Sequence, residues 1–334
     1  MLNKVYKKTI EFIKENLWFL ISLIAIILLF TIELPYVVEL PGGFVSLKER
    51  IIIENKNDTN SDLGMAYVTM LKGNIPFLLF SLVNNDFDIV AKKDITYENE
   101  STEEMNIRDN LLMNEANSNA TIAAYSEAGE YFNILSTKIF VAGLDNDDSE
   151  LKVGDNIIKI NDNKVNDLNE MKNYLQTLSL DKKVKVTVIR DDKEKEVYSS
   201  LKDYDGVKKL GVIIVNNYDI ETKPKLEIKK EKRESGPSGG LMTALAIYDE
   251  LTSSNLTHGD KIIGTGTISK DGTVGEIGGV KYKLIGAVNN KAKVFLCPKD
   301  NYEEAQRIAK ERNFDIIIKD VETLSEAINY LKSR

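Results

Sequence analysis

Sixteen consecutive uncharged residues, LWFLISLIAIILLFTI from Leu17 to Ile32, bar the start of this chain from an ordinary water-facing surface. As a helix the run spans about 24 Å at ~1.5 Å per residue. That is slightly short of the ~20 residues a bilayer core needs, and snorkelling by Lys14 together with the apolar LPYVV after Glu33 makes up the difference. A cleaved signal peptide would carry small residues after the run, and ELPYVVELPGG has no such pattern. The expectation is an uncleaved transmembrane anchor over residues 17–38. Lys4, Lys7, Lys8 and Lys14 precede it and the next basic residue is Lys48, so residues 1–16 are expected in the cytoplasm and everything after the anchor outside.

A chain of 334 residues exceeds one ordinary core, so several domains are expected. With 43% hydrophobic and 29% charged residues the remainder is globular in composition, and a net charge of -8 leaves no footprint for nucleic acid. The single cysteine, Cys297, permits no intramolecular disulfide and ends a β-like run where burial is the rule. The single histidine, His258, makes a His-rich zinc site improbable, and no metal or other cofactor is expected.

The fold class expected is α/β (α+β) and multidomain, an anchor followed by three regions. Residues 39–130 mix the β-like runs GMAYVTML and FDIVAKK with a helical stretch from Thr102 to Ala128, and carry no assignable motif. Residues 131–204 read as a strand TKIFVAGL, a second strand in DNIIKINDNKV, a helix DLNEMKNYLQTLS, and two β-runs joined at DDKE. Residues 205–334 alternate strands and helices, the pattern of an α/β unit. There Asp300 and Glu303 have the spacing of a capping box, opening a helix that buries Ala305, Ile308 and Ala309.

ESGPSGGLMTALAIYDELT, from Glu234 to Thr252, sets Ser238 between Gly-Pro and Gly-Gly at the start of an apolar helix. Such a serine is ordinarily a cap, yet a glycine-bounded turn is also how hydrolases expose a nucleophile. A serine needs a base, and a lysine serves if its pKa falls about three units from ~10.4, which costs about 4 kcal/mol and can come from burial. GEIGGVKYKLIGA supplies Lys281 and Lys283. Two residues apart on a helix is about 200°, so only one of them can face the core, and periodicity does not choose.

LKVGDNIIKINDNKV, from Leu151 to Val165, resembles a PDZ domain in the bacterial, circularly permuted order, which implies that a peptide partner adds as a strand. No glycine-rich loop precedes KIFVAGL, where Ser136 and Thr137 stand. SGPSGG together with GTGTISKDGTVGEIGGVKYK resembles the proteolytic domain of Lon, in the ATP-independent, membrane-anchored YlbL-type branch that carries a PDZ domain. The resemblance implies that Ser238 is the nucleophile, Lys283 the base and Thr265 a support orienting the lysine amine, with Gly236 and Gly239 framing the serine. It implies an endopeptidase acting on extracytoplasmic peptides or membrane-tethered proteins, with an oligomer compatible. GDKIIGT has Thr265 where a phosphate-binding loop needs lysine, so no nucleotide is expected. The basic run KKEKRE, Lys229 to Glu234, reads as a solvated strand end or as a steering patch for acidic segments. Two rivals are a non-catalytic PDZ scaffold tethering extracytoplasmic partners and a signal-peptidase-like Ser/Lys protease, whose motifs are not these.

Overall fold

The computed structural model describes residues 2–56, 59, 61–97, 100–145, 148–230 and 234–334. They form two compact units, Met1–Pro41 with Thr69–Ile95, and Gly42–Val68 with Thr96–Arg334.

In the first unit the helices Leu2–Glu15 and Leu17–Thr31 follow one another, and no residue of the second is buried. Among the described residues no single helix is long and apolar enough to cross a membrane; Val5–Glu15 with Leu17–Thr31 passes as a pair by length and composition, bent by 74°. The expected anchor over 17–38 is corrected at its end. Ile32 is extended and Glu33–Ser46 is a strand, because Pro35 lacks the N–H a helix needs and disfavours helix in the residue before it. Tyr36 to Glu39 pair antiparallel with Asp88–Ala91.

In the second unit the strands Lys261–Gly264, Val294–Pro298 and Ile317–Val321 lie side by side in parallel, Asp62 to Met65 of the strand Asp62–Asn74 pair parallel with the first of them, and the part of Glu33–Ser46 from Gly42 onward flanks that strand. A parallel sheet covered on both faces demands nearly continuous apolar runs, and KIIG and VFLCP meet that demand. Alternate residues serve opposite faces. Leu63, Ile262, Val294 and Leu296 pack with the helix Gly240–Thr252. Ala66, Ile263, Phe295 and Cys297 pack with the helices Val280–Asn289 and Lys299–Arg312. Burial of such an aliphatic side chain stabilises by about 1.5–3 kcal/mol. Two acids are buried with them and are satisfied: Ser61 donates to Asp249, as does the Leu256 N–H at 2.9 Å, and Glu250 accepts from the Thr59 N–H at 2.9 Å. The helix Lys299–Arg312 corrects the expected capping box. It starts two residues earlier than that reading required, after Pro298, which places Asp300 within the first turn.

A separate sheet runs Val212–Lys223, Tyr131–Leu144, Asn156–Ile160, Val184–Arg190, Lys193–Ser199, with the helix Leu168–Thr177 packed on it. Its hairpin turn at Asp191–Asp192 has both residues at positive φ, as a two-residue hairpin requires. The Gly-Asp turn of LKVGD is pinned by Arg190, whose Nε and Nη2 each reach the buried Asp155 carboxylate at 2.6 Å.

The helix Thr102–Ala128 joins these two cores. It opens on a capping box of Ser101 and Glu104 and ends at Gly129, φ 70°. Near its start Leu111, with Ile107 and Leu112, packs on Ala142 and Val215 of the second sheet. Near its end Ala120, Ala123, Ala124 and Tyr125 enter the core that holds the helix Gly240–Thr252.

Candidate active site

The loop into Ser238 is fixed from both sides. Arg50 donates to the Lys229 carbonyl at 3.0 Å and grips the Glu234 carboxylate through both terminal nitrogens, while the Gly236 N–H donates to the Asp109 carbonyl at 2.9 Å. Gly236 has φ +86°, the left-handed region that favours glycine. Half-buried Ser238 follows Pro237, and Gly239 caps the helix Gly240–Thr252. A Cβ on Gly239 would lie 2.5 Å from the Met65 sulfur, and one on Gly240 2.8 Å from Ile268 Cγ2, so the glycines let this turn sit directly on the sheet.

Thr265 follows the strand Lys261–Gly264 and is fully buried. Its hydroxyl donates to the Ser238 carbonyl at 3.1 Å, and the Gly266 N–H donates to the same oxygen at 2.8 Å. The serine main chain is thus one partner of this hydroxyl. A hydroxyl that donates once still has lone pairs with which to accept.

Lys283 is the fourth residue of the helix Val280–Asn289 and is only 4% exposed. Lys281 is partly exposed, with its ammonium 5.3 Å from the Tyr282 ring centroid. Periodicity could not choose between these lysines; packing does. Asn301 fixes the approach to this helix, accepting from the Ile277 N–H at 2.9 Å and donating to the Ile277 carbonyl at 3.0 Å. Gly279 has φ +68°, and a Cβ there would lie 2.8 Å from Val68 Cγ2. We therefore expect Gly279→Ala to destabilise the fold by about 1–2 kcal/mol, the penalty of a left-handed non-glycine residue, plus the clash. Gly278→Ala, with nothing within 4 Å of its Cβ, is the matched control, and urea melts of both check the difference.

Thus Thr265 holds the main chain of Ser238, and Lys283 lies in the first turn of the helix Val280–Asn289, which packs on the other face of the same sheet. The strand Asp62–Asn74 links them, Met65 lying against Gly239 and Val68 against Gly279. The helix Gly240–Thr252 begins beside Gly266, just past the carboxyl end of the parallel strand Lys261–Gly264, where open α/β sheets place their ligands. The amino end of Gly240–Thr252 has the positive dipole end suited to a developing oxyanion, while its Gly240 and Leu241 N–H groups already donate to the Pro237 carbonyl at 3.1 Å and the Gly266 carbonyl at 3.0 Å. The places of Asp109 and Asn301 beside this site, and that of the β-run GMAYVTML through Met65 and Val68, were missed from the sequence, because no local motif marks a residue that acts through tertiary contact.

Cys297 is buried, and desolvation, followed by the nearby Asp320 charge, pushes its thiol up to about 12. His258 Nε2 lies 3.1 Å from the Leu331 carbonyl. Of the basic run, Glu231 to Arg233 lie outside the described residues; Lys230, whose pKa burial lowers, donates to Asn114. It lines a cavity of about 440 Å³ bounded also by Asn117 and Asn217.

Comparison with known proteins gives two family matches, a PDZ domain over residues 135–201 and the Lon protease (S16) C-terminal proteolytic domain over residues 229–333. Lon protease 2 of Borreliella burgdorferi is 28% identical over 118 residues, 34% of this chain and 15% of that protein. The Lon protease of Campylobacter concisus is 36% identical over 96 residues, 28% of this chain and 12% of that protein. The chain thus spans 15% or less of the length of these relatives. The crystal structure of the PDZ domain of the SdrC-like protein from Listeria monocytogenes is 23% identical, with a TM-score of 0.22, covering 23% of this chain and 86% of that one. With its glycine-framed serine and buried lysine set on one α/β sheet, the chain carries a Lon-family (S16) proteolytic domain together with a PDZ domain, and is distantly related to several bacterial Lon proteases.

Proposed function

We propose that the protein is an ATP-independent serine endopeptidase with a Ser238/Lys283 dyad, anchored in the cell membrane by Leu17–Thr31, with its catalytic part outside the cytoplasm. The observation that carries this reading is the burial of Lys283. Burial disfavours an ammonium and favours the neutral amine a base requires. Ser238 Oγ attacks the peptide carbonyl, Lys283 takes the hydroxyl proton, and the oxyanion is held by N–H groups at the helix start. The protonated lysine then gives its proton to the departing amine. Water, deprotonated in turn by the same amine, hydrolyses the acyl-enzyme and regenerates Ser238. Thr265 orients the site by accepting from the Lys283 amine while it donates to the Ser238 carbonyl.

Within this proposal residues 131–204 are the PDZ domain in permuted order, and peptide or protein partners add along its edge strand. One edge of the sheet that these residues build is Val212–Lys223, a strand that follows the domain in sequence. Part of that edge is already occupied, since the Asn216 N–H donates to Glu115 at 2.9 Å, and burial raises the pKa of that carboxyl.

A fluorophosphonate probe tests the dyad. The full chain in detergent is expected to be modified at Ser238, located by mass spectrometry, with labelling lost in Ser238→Ala and Lys283→Met. Folded protein that leaves Ser238 unmodified under conditions that label a reference serine hydrolase overturns the reading and favours the scaffold.

A further inference from the structure

A second bare apolar surface lies in the first unit. From Gly73 to Asn85 the sequence GNIPFLLFSLVNN carries no charge. Ile75–Ser81 is a helix of seven residues, started by Pro76 in its first turn. Ser81 is buried and Ile75 to Leu78 are half-buried, whereas Leu79 is 61% exposed, Phe80 52%, Leu82 73% and Val83 79%. Water is a poor neighbour for four adjoining large apolar side chains, and a contiguous patch of this kind marks a contact with something apolar.

Its position says what that contact is. The short helix packs against Leu17–Thr31, and the Asn74 side-chain amide donates to the Phe30 carbonyl at 3.1 Å, so the patch begins level with the end of the long helix. No residue of Leu17–Thr31 is buried. The two bare surfaces adjoin. Just past the long helix Glu33 pairs with both Lys72 and Lys92, a charged girdle at the depth where lipid headgroups would lie. At about 10 Å the short helix cannot cross a bilayer, but it can lie in the boundary between headgroups and acyl chains.

We propose that Ile75–Val83 is a wedge that enters the outer leaflet of the same bilayer that holds Leu17–Thr31, its exposed face covered by lipid acyl chains. This rests on the reading of Leu17–Thr31 as an anchor. Two membrane contacts, one crossing and one lying in the interface, hold the first unit against rotation about the anchor axis.

The test uses the full chain in vesicles of phosphatidylcholine and phosphatidylglycerol, with a polarity-sensitive fluorophore on Leu82→Cys. Buried Cys297, its thiol pushed up to about 12, is left unlabelled. Trp18, the single tryptophan, reports on the anchor separately. Blue-shifted emission at residue 82, quenched by about half or more by nitroxides placed shallowly in the acyl chains, is the result expected of an interfacial residue. Water-like emission without quenching, while Trp18 is quenched, overturns the wedge and leaves the anchor standing. Blue-shifted but unquenched emission assigns the patch to protein contact and also overturns it. If neither reporter is quenched, both readings fall. The same label on Val83→Cys guards against a local effect of one substitution.

Discussion

Lys283→Arg is expected to lower peptide turnover by about 10³-fold or more, although it keeps a cation of similar reach, because a guanidinium does not give up its proton in a protein. The substitution separates the proposed chemistry from simple charge. If Lys283 only completed a buried ion pair, arginine would substitute with modest loss; as a base it has no substitute that stays protonated. The same reasoning fixes the pH dependence. Below the pKa of the buried lysine the amine is charged and cannot accept the Ser238 proton, so kcat/KM should rise with pH through that value and then level off. Desolvation lowers a lysine pKa, so the rise should lie well below the ~10.4 of a free lysine side chain. A rate that is flat with pH from about 5 to 10, or an arginine variant with near-normal turnover, removes Lys283 from the mechanism.

The second large effect concerns truncation. A fragment beginning at residue 205, where the sequence pattern opens its α/β region, is expected not to fold. It lacks Leu47, Ile51, Ile53 and Leu63 from the core around Gly240–Thr252, and Ala120, Ala123, Ala124 and Tyr125 from the same core. It also lacks Ala66 on the opposite face. At about 1.5–3 kcal/mol for each large aliphatic side chain, the lost burial approaches or exceeds the ~5–15 kcal/mol by which domains are stable at all. The expected readout is aggregation, or a broad non-cooperative thermal transition by circular dichroism. A protein starting at Glu33 and kept in detergent should melt cooperatively. Cooperative unfolding of the 205–334 fragment would show that the earlier strands and the long helix are dispensable.

That truncation marks the boundary between what could and could not be read from the chain. Local signals were legible. Thr102–Ala128 was identified as helix over its whole length, since Ser101 and Glu104 close one end and Gly129 the other within a few residues of sequence. The strand TKIFVAGL was found but continues back to Tyr131, because twelve residues of a partner strand lie beside it and extend the ladder. Which lysine turns inward could not be read, since Val280 and Leu284 offer apolar company on either side and only the sheet beneath decides. The place of residues 42–68 was also illegible: their strands are completed by partners about two hundred residues away, such as Ile262 opposite Leu63, and sequence spacing carries no trace of that. The reading of Asp300 as a cap failed for a related reason, as the preceding strand ends at Pro298 and the helix begins at once.

Thr102–Ala128 is 27 residues, about 40 Å of continuous helix, with one end lodged in each of two cores. A strut of that kind leaves no hinge. The sheet built around Tyr131–Leu144 and the helix that follows Ser238 must travel together, and replacing the former with a foreign homologue would succeed only if the graft reproduced the bed on which Ile107, Leu111 and Leu112 rest.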